Sequence, residues 1–293
     1  MDKKLIIIDG HSLLYRAFHA LPPLTNKKGQ QTGAVYGFLL TLFRAIKDLE
    51  ANYIVACFDT RKPTFRHEKF EEYKAHRAPM PDGLASQMQI MRDVLDAFSI
   101  PTFIKEGFEA DDLVATISQK AKKDAEVFIL SGDLDNLQLV DEKVKLYTLG
   151  KSIKESVVYD AQKVVERFGV NPNQMNDFKA LTGDASDNVP GVPGIGKTTA
   201  TQLIQQFGSI KSLYEELATD TAVLKPKVKE ALKANKDKAF MSLELVTTNK
   251  EVTMDFNLEA CQFSSFDHQK VKDIFSELGF NSLLDRLPTI IFD

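Results

Sequence analysis

Acidic residues follow the ends of apolar runs in distant parts of this 293-residue chain. Three such runs are typical of buried β-strands and end in Asp9, Asp59 and Asp133, the last followed by Asp135. In an open α/β sheet, ligands gather beyond the carboxyl ends of parallel strands, so these acids would converge on one site. Two like charges near 4 Å cost about 4 kcal/mol at an effective dielectric of 20, so such a pocket must take up protons or cations.

Two further acidic groups accompany helical patterns. Glu109 and Asp112 are spaced i,i+3 at the start of one helix, with Asp111 between them, and Asp184 and Asp187 share that spacing after another. Carboxylates with no Cys or His nearby favour Mg²⁺ or Mn²⁺ over zinc. Any one of these acids taken alone is more commonly a turn former or helix cap, and only their convergence predicts a site. The predicted metal ligands are Asp9, Asp59, Glu109, Asp111, Asp112, Asp133, Asp135, Asp184 and Asp187.

So many carboxylates exceed the needs of one ion. Two divalent ions about 4 Å apart would make a clamp for in-line displacement at a phosphodiester, with a metal-activated water as nucleophile. Hydrolysis of this kind needs no protein nucleophile, which agrees with a sequence that offers no Ser-His or Cys-His arrangement. The predicted cofactors are therefore two Mg²⁺ or Mn²⁺ ions.

The composition bounds the class of protein. With 43% hydrophobic residues the chain can bury a sizeable core, and its net charge of -4 and pI near 5.8 argue against nonspecific coating of nucleic acid. Two cysteines give neither a disulfide framework nor a zinc pattern, and no apolar run is long enough for a signal peptide or membrane span. We expect a cytoplasmic protein without membrane contact. Basic residues concentrate in two stretches: Arg61, Lys62, Arg66, Lys69, Lys74 and Arg77, and Lys225, Lys227, Lys229, Lys233, Lys236 and Lys238.

Alternating strand and helix patterns predict an α/β domain over residues 1–169, a mostly parallel sheet flanked by helices. The predicted strands are Lys4–Asp9, Tyr53–Asp59, Thr102–Lys105, Val127–Ser131 and Val144–Thr148, and the predicted helices are Val35–Leu49, Gly83–Phe98 and Ala110–Lys122. Strand signals fade beyond Gly169, so residues 170–293 are predicted to form a smaller helical domain. Its predicted helices are Asn173–Leu181, Lys197–Phe207, Ile210–Leu217, Lys227–Leu245 and Asp267–Leu278.

The charged and aromatic segment 63–82 lies between a strand end and an apolar helix, and we expect it to project as a binding element. Arg66, Tyr73, Lys74 and Arg77 combine phosphate-binding charge with an aromatic face, and stacking is worth about 1 to 3 kcal/mol per base. Lys74 or Arg77 could also offset charge on a scissile phosphate. A solvated amphipathic helix is the alternative. Arg16 is a similar phosphate-binding candidate, with an exposed salt bridge as its alternative.

Residues Gly191–Thr198 satisfy the P-loop expression G-x-x-x-x-G-K-[ST]. A P-loop must follow a buried strand, whereas the residues before Gly191 are polar and end in Pro190. The favoured interpretation is a hairpin between two helices, in which Gly194 and Gly196 expose backbone N–H groups to a DNA phosphate and Lys197 adds charge.

Taken together, these motifs resemble the 5′-nuclease (flap endonuclease) family, and within it the 5′-3′ exonuclease domains of bacterial DNA polymerases I. The matching segments are Ile8–Ser12, Tyr15–Phe18, Phe58–Asp59, Pro63–Arg66, Tyr73–Arg77, Glu109–Asp112, Ser131–Asp135, Thr182–Asn188 and Gly191–Gly196. The resemblance covers most of residues 4–217 and is general beyond them.

The resemblance implies a PIN-like domain with a helical arch around 63–95 that threads a 5′ end, and a helix-hairpin-helix-like module that grips duplex DNA. It implies cleavage of DNA with a 5′ flap or 5′ end, leaving a 5′-phosphate. Five acids resemble the ligands nearest the chemistry: Asp59, Glu109, Asp111, Asp112 and Asp133. Asp135, Asp184 and Asp187 resemble the second cluster, with Asp9 in support. Tyr73, Lys74 and Arg77 resemble arch residues at the scissile phosphate, Arg16 and Arg66 resemble phosphate contacts, and the Gly191–Gly196 hairpin resembles a K⁺ site.

The sequence ends at Asp293 with no polymerase domain, so we expect a standalone bacterial paralogue or an excised domain, and a monomer. Some standalone relatives lose part of the second acidic cluster; here it is complete, which favours catalysis. Three functions compete: a metal-dependent 5′ nuclease acting in replication or repair, an ATPase based on the Gly191–Thr198 match, and a noncatalytic binder of DNA junctions. Cleavage of a 5′-flap duplex would separate the first from the others.

Overall fold

The computed structural model describes residues 2–60, 62–150 and 155–288, so Arg61 of the first basic stretch lies outside the described residues. The described strands form one six-stranded sheet in the order β3-β2-β1-β4-β5-β6. The strands are β1 (Lys4–Asp9), β2 (Tyr53–Cys57), β3 (Thr102–Phe103), β4 (Glu126–Leu130), β5 (Val144–Leu149) and β6 (Ser156–Tyr159). All neighbours pair in parallel except β5 and β6, which are antiparallel, and this confirms the mostly parallel α/β sheet.

The central strands are apolar throughout because both faces of the sheet are covered. Alternate residues of β1 enter opposite cores: Leu5 and Ile7 face one hydrophobic cluster, and Ile6 and Ile8 face the other. A one-residue slip would exchange these faces, so the packing fixes the register.

The chain order creates a topological switch point beside β1. From β1 the chain builds outward through β2 and β3, then returns to add β4 on the other side of β1. In open α/β sheets the crevice at such a point, beyond the carboxyl ends of the strands, is where ligands bind.

Helices cover both faces and build most of the second half of the chain. In the first half they are α1 (Gly10–Ala20), α2 (Gly33–Leu49), α3 (Phe65–Lys69), α4 (Asp82–Ala85), α5 (Gln87–Ala97), α6 (Ala110–Ala121) and α7 (Ala161–Phe168). In the second half they are α8 (Met175–Thr182), α9 (Lys197–Phe207), α10 (Ile210–Ala218), α11 (Pro226–Ala234), α12 (Lys236–Val246), α13 (His268–Leu278) and α14 (Asn281–Leu284). Short 3-10 helices span Leu134–Leu139, Pro172–Gln174 and Glu259–Cys261.

Two long predicted helices are divided in the structure. The predicted helix Gly83–Phe98 is α4 and α5, separated at Ser86. The predicted helix Lys227–Leu245 breaks at Asn235, whose backbone leaves the helical region and whose side-chain amide donates to the Ala231 carbonyl at 2.9 Å. α11 ends at Ala234, and α12 starts directly after Asn235.

Residues 263–283 pack on the helices that cover one face of the sheet. Phe263 and Phe266 stack with ring centroids 5.9 Å apart, and the Phe266 ring centroid also lies 4.9 Å from that of Phe98, which caps the end of α5. Phe275 of α13 contacts both Phe98 and Phe43 of α2. Helices α13 and α14 therefore complete the core on one face of the sheet, and the division of the chain at residues 169 and 170 stays a prediction.

None of the helices among the described residues has the length and apolarity needed to span a membrane.

Candidate metal centre

Asp9 lies at the switch point and closes β1. It is 4% exposed, its Oδ1 accepts a hydrogen bond from the Ser12 N–H at 3.2 Å, and its Oδ2 accepts from the Ser131 hydroxyl at 2.7 Å. Burial raises the pKa of Asp9 from 3.8 to about 7; repulsion from Asp59 and Asp133 adds to this rise and the Ser131 bond opposes it. The hydrogen bond between Ser131 and Asp9 thus links the ends of β1 and β4, and the Asp9 carboxylate adds negative charge at this point.

Asp133 and Asp135 follow β4. Asp133 caps the 3-10 helix Leu134–Leu139, because its Oδ1 accepts from the Asp135 N–H at 2.9 Å. The extended backbone of β4 does not continue to Asp135, which already lies within the 3-10 helix. Burial, and then repulsion from Asp133, raise the pKa of Asp135 to about 7 against the opposing charge of Lys179.

The amino end of α6 brings a second set of acids to the same crevice. Asp59, two residues beyond β2, accepts the Ala110 N–H at 2.8 Å and so fixes this helix end. Asp111 is in the first turn, where burial and then repulsion from Asp9 and Asp133 raise its pKa well above 3.8. The acids at the ends of three strands and one helix therefore share one electrostatic environment.

Segment 72–77 does not stand clear of the body but packs onto the acids. The Lys74 ammonium lies 2.7 Å from Glu109 Oε1 and 3.7 Å from Asp187 Oδ2, and the Lys74 N–H donates to the Asp187 carbonyl at 3.0 Å. Lys74 adopts the left-handed backbone conformation at φ 56°, which few non-glycine residues do without local compensation. Arg77 pairs with Asp187 as well.

Tyr73 is drawn into the same contact. It is 4% exposed, and its hydroxyl donates to Glu109 Oε2 at 3.2 Å and lies 3.4 Å from Asp187 Oδ2. Burial, and then the charge of Glu109, raise the pKa of this phenol far above its usual value. In this arrangement Tyr73 and Lys74 face carboxylates, and a base could stack on Tyr73 only after the segment moves.

Lys179 of α8 links the acid that follows β4 to the acid that follows α8. Its ammonium contacts Asp135 and lies 2.7 Å from Asp184 Oδ2. Burial alone would raise the pKa of Asp184, but Lys179 and Ser186 outweigh it and lower that pKa to about 2. Lys179 was not among the predicted site residues, although its position one helical turn before Gly183 and Asp184 was a signal in the sequence.

The positions of Arg66 and Asp112 differ from those expected of a phosphate contact and of a metal ligand. Arg66 is 2% exposed and forms two 2.8 Å bonds to Asp112, and it also donates to the Leu245 and Thr247 carbonyls. Asp112 is fully buried and accepts further bonds from the N–H groups of Glu109 and Asn249. A phosphate cannot reach this guanidinium, and the Asp112 oxygens are saturated by protein donors, so the pair fastens α3 and the end of α12 to the start of α6.

Arg16 and the glycine hairpin lie at the edges of this centre. The Arg16 guanidinium donates to the backbone carbonyls of Leu149 and Gly150, which is neither of the two expected contacts. The hairpin joins α8 to α9, with Val192 and Ile195 buried and Gly194, Gly196 and Lys197 exposed. The element directly before it is helix α8 and not a strand, so the structural context of a P-loop is absent.

The donor set fits hard divalent cations, since all candidate ligands are carboxylates, and burial, followed by their mutual repulsion, raises the pKa values of Asp9, Asp111 and Asp135. Among the described residues, no three acidic, His or Cys side chains form a group that could hold one ion, and Lys74, Arg77 and Lys179 are paired with the acids. A cavity of about 20 Å³ remains between Glu109, Asp111, Asp135 and Asp184, enough for one water-sized group.

Two family models match the chain. Residues 4–169 match "5'-3' exonuclease, N-terminal resolvase-like domain", and residues 170–269 match "5'-3' exonuclease, C-terminal SAM fold".

Two relatives are DNA polymerases I. The chain is 42% identical to that of Bacillus subtilis over 286 residues, covering 97% of this chain and 32% of the relative. It is 39% identical to that of Bacillus caldotenax over 290 residues, covering 99% and 33%. The chain thus spans about a third of the length of these curated relatives.

A solved structure of the T5 5′-exonuclease with bound divalent metal ions (zinc) shares the fold. The TM-score is 0.70 at 25% identity, and the match covers 94% of this chain and 100% of that one.

Proposed function

The chain belongs to the 5′-3′ exonuclease family, and from that premise we propose that it is a divalent-metal-dependent, structure-specific 5′ nuclease acting on DNA with a 5′ flap or 5′ end. The proposal depends above all on one observation, the convergence of acids from β1, β2, β4, α6 and α8 on the switch-point crevice, with the cationic segment 72–77 packed against them.

Divalent cations would be held by two groups of acids. Asp59, Asp111 and Asp133, oriented by Asp9, would form one group, and Asp135, Asp184 and Asp187 the other, with Glu109 between them. When bound, Mg²⁺ or Mn²⁺ would lower the pKa of a water and neutralise charge on the scissile phosphate. Arg66 and Asp112 are left out of this assignment because their polar atoms are engaged inside the protein.

The chain's own cations would bind and orient the DNA. Lys74 and Arg77 are bound to Glu109 and Asp187 here, so they lie where a phosphate held by the same cluster would need positive charge. Tyr73 would be released together with them to contact the terminal bases. Gly194, Gly196 and Lys197, exposed at the start of α9, would grip a phosphate of the duplex, and the hairpin carbonyls would accept K⁺. We propose that one chain suffices, as a monomer.

Flap cleavage tests this proposal. Wild type with Mg²⁺ is expected to release the 5′ arm of a labelled flap duplex, and Asp133→Asn to reduce the rate by at least 100-fold. Asp255→Asn, which removes the same charge from an exposed loop residue, is the matched control and should cleave at the wild-type rate. Tight flap binding without turnover in Mg²⁺ or Mn²⁺ would instead select a noncatalytic junction binder. ATP hydrolysis that is lost in Lys197→Ala would select the ATPase.

A further inference from the structure

Asn136 carries an unsatisfied polar atom beside the metal centre. It follows Asp135 in the 3-10 helix and is 1% exposed. Its Nδ2 donates to Asp111 Oδ1 at 3.1 Å. Its Oδ1 is the single buried side-chain oxygen or nitrogen in the described ranges without a hydrogen-bond partner. Buried polar atoms are nearly always paired, so this one calls for a partner that protein atoms do not supply.

The identity of that partner follows from the position of the amide. The two polar atoms of one amide group are close neighbours, so Oδ1 lies next to the Asp111 carboxylate that its Nδ2 contacts. A carbonyl oxygen accepts hydrogen bonds and attracts cations, but it cannot pair with an ionised carboxylate. Turning the amide round would only bring the two acceptors together. A water coordinated to a cation is a strong donor and satisfies the oxygen with the amide as it stands.

We propose that Asn136 is a positioning residue of the metal centre, which holds Asp111 with its Nδ2 and accepts a hydrogen bond from a cation-bound water with its Oδ1. The inference rests on the proposed function, since it requires the acids to bind divalent cations. By holding Asp111 Oδ1, the amide leaves Oδ2 of that carboxylate for the cation. Neither half of the role was apparent in the sequence, where Asn136 directly follows Asp135 and no spacing distinguishes it.

Three variants and a Mn²⁺ titration followed by electron paramagnetic resonance test the inference. Asn136→Leu keeps the volume but removes donor and acceptor, and it should weaken Mn²⁺ binding roughly 10-fold or more, as loss of residues that orient metal ligands does. Asn136→Asp keeps an acceptor for the cation-bound water but loses the donor to Asp111, so it should bind Mn²⁺ more weakly than wild type and more tightly than Asn136→Leu. Asn235→Leu removes an amide that only ends α11 and should leave Mn²⁺ binding unchanged.

A purely structural Asn136 would give a different pattern. The melting temperatures of Asn136→Leu and Asn136→Asp would then fall while Mn²⁺ affinity stayed at the wild-type value in both, and that result overturns the inference. If wild type cleaves flaps and Asn136→Leu binds Mn²⁺ normally, the inference fails while the proposed function stands. If wild type neither binds Mn²⁺ nor cleaves, both fail.

Discussion

Several acids of the metal centre also have an ordinary structural role. Asp9 accepts the Ser12 N–H at the start of α1, and Asp133 accepts the Asp135 N–H at the start of its 3-10 helix. The common interpretation of such residues as helix caps is therefore correct for their local geometry. It is compatible with the metal interpretation, because the capping hydrogen bonds orient these carboxylates toward the crevice.

Replacing Lys74 should change cation binding and DNA cleavage in opposite directions, because its ammonium contacts the acids that would bind the cations. Lys74→Met removes an ammonium from between Glu109 and Asp187, so the acids lose a competitor and Mn²⁺ should bind more tightly. Flap cleavage should nevertheless fall by about 10²- to 10³-fold, because the charge that faces the scissile phosphate is gone. Calorimetric Mn²⁺ titration and single-turnover cleavage measure the two effects.

Lys69→Met is the matched control, since Lys69 also lies in the segment 63–82 but pairs with Glu244 at the surface. Both quantities should stay near wild type in this variant. Weaker Mn²⁺ binding in Lys74→Met, with Lys69→Met unchanged, would contradict the prediction that Lys74 competes with Mn²⁺ for the acids.

Residue identities could be predicted from spacing, but their contacts could not. The acids were found because strand ends and i,i+3 spacing are visible in one dimension. The burial of Arg66 was not, because its partners include Asp112 and the carbonyls of Leu245 and Thr247, which are far away in the chain. The charged run that contains Arg66 is typical of a surface segment, yet Arg66 forms a buried ion pair with Asp112.

At the scale of elements, the parallel sheet was predictable because continuous apolar runs alternate with amphipathic helices. The edge strand β6 was missed, since it is only four residues long and its pairing with β5 is antiparallel. The packing of α13 on α2 and α5 was missed as well. Its apolar stripe was recognised, but a stripe does not specify which of two faces it will cover.

The hairpin between α8 and α9 makes a prediction about salt. Lys197→Ala should weaken flap binding and lower the slope of log affinity against log salt by about 1, as loss of one phosphate contact does. Lys211→Ala removes an exposed charge from the next helix, α10, and should leave that slope unchanged. Fluorescence anisotropy across a salt series measures it, and identical slopes for wild type and Lys197→Ala would remove the hairpin from the DNA contact.

At the scale of the whole molecule, the crowded acids link stability to pH. The folded pKa values of Asp9 and Asp135, about 7, exceed the ordinary value of 3.8, so the folded chain binds these protons more tightly than the unfolded chain. Their contribution to the free energy of unfolding is full below about pH 4 and is lost as the pH rises through about 7. A divalent cation offsets this loss by binding the ionised acids.

The expected outcome is a pH-dependent effect of Mg²⁺ on the melting temperature. At pH 8, Mg²⁺ at 100 times its dissociation constant at that pH should add about 2.7 kcal/mol to the free energy of unfolding. The same Mg²⁺ concentration at pH 5 should add little, because protons compete for the acids. Thermal unfolding in EDTA and in Mg²⁺ at both pH values measures it. A gain that is equal at pH 5 and pH 8 would mean that Mg²⁺ binds elsewhere.

Anomalous diffraction from crystals grown with Mn²⁺ would show whether the dispersed acids meet to bind paired divalent cations. We expect anomalous peaks at the switch-point crevice, one beside Asp59, Asp111 and Asp133 and one beside Asp135, Asp184 and Asp187, with Lys74 displaced from Glu109. Crystals saturated with Mn²⁺ that show no peak at these carboxylates, and Lys74 still bound to Glu109, would contradict it.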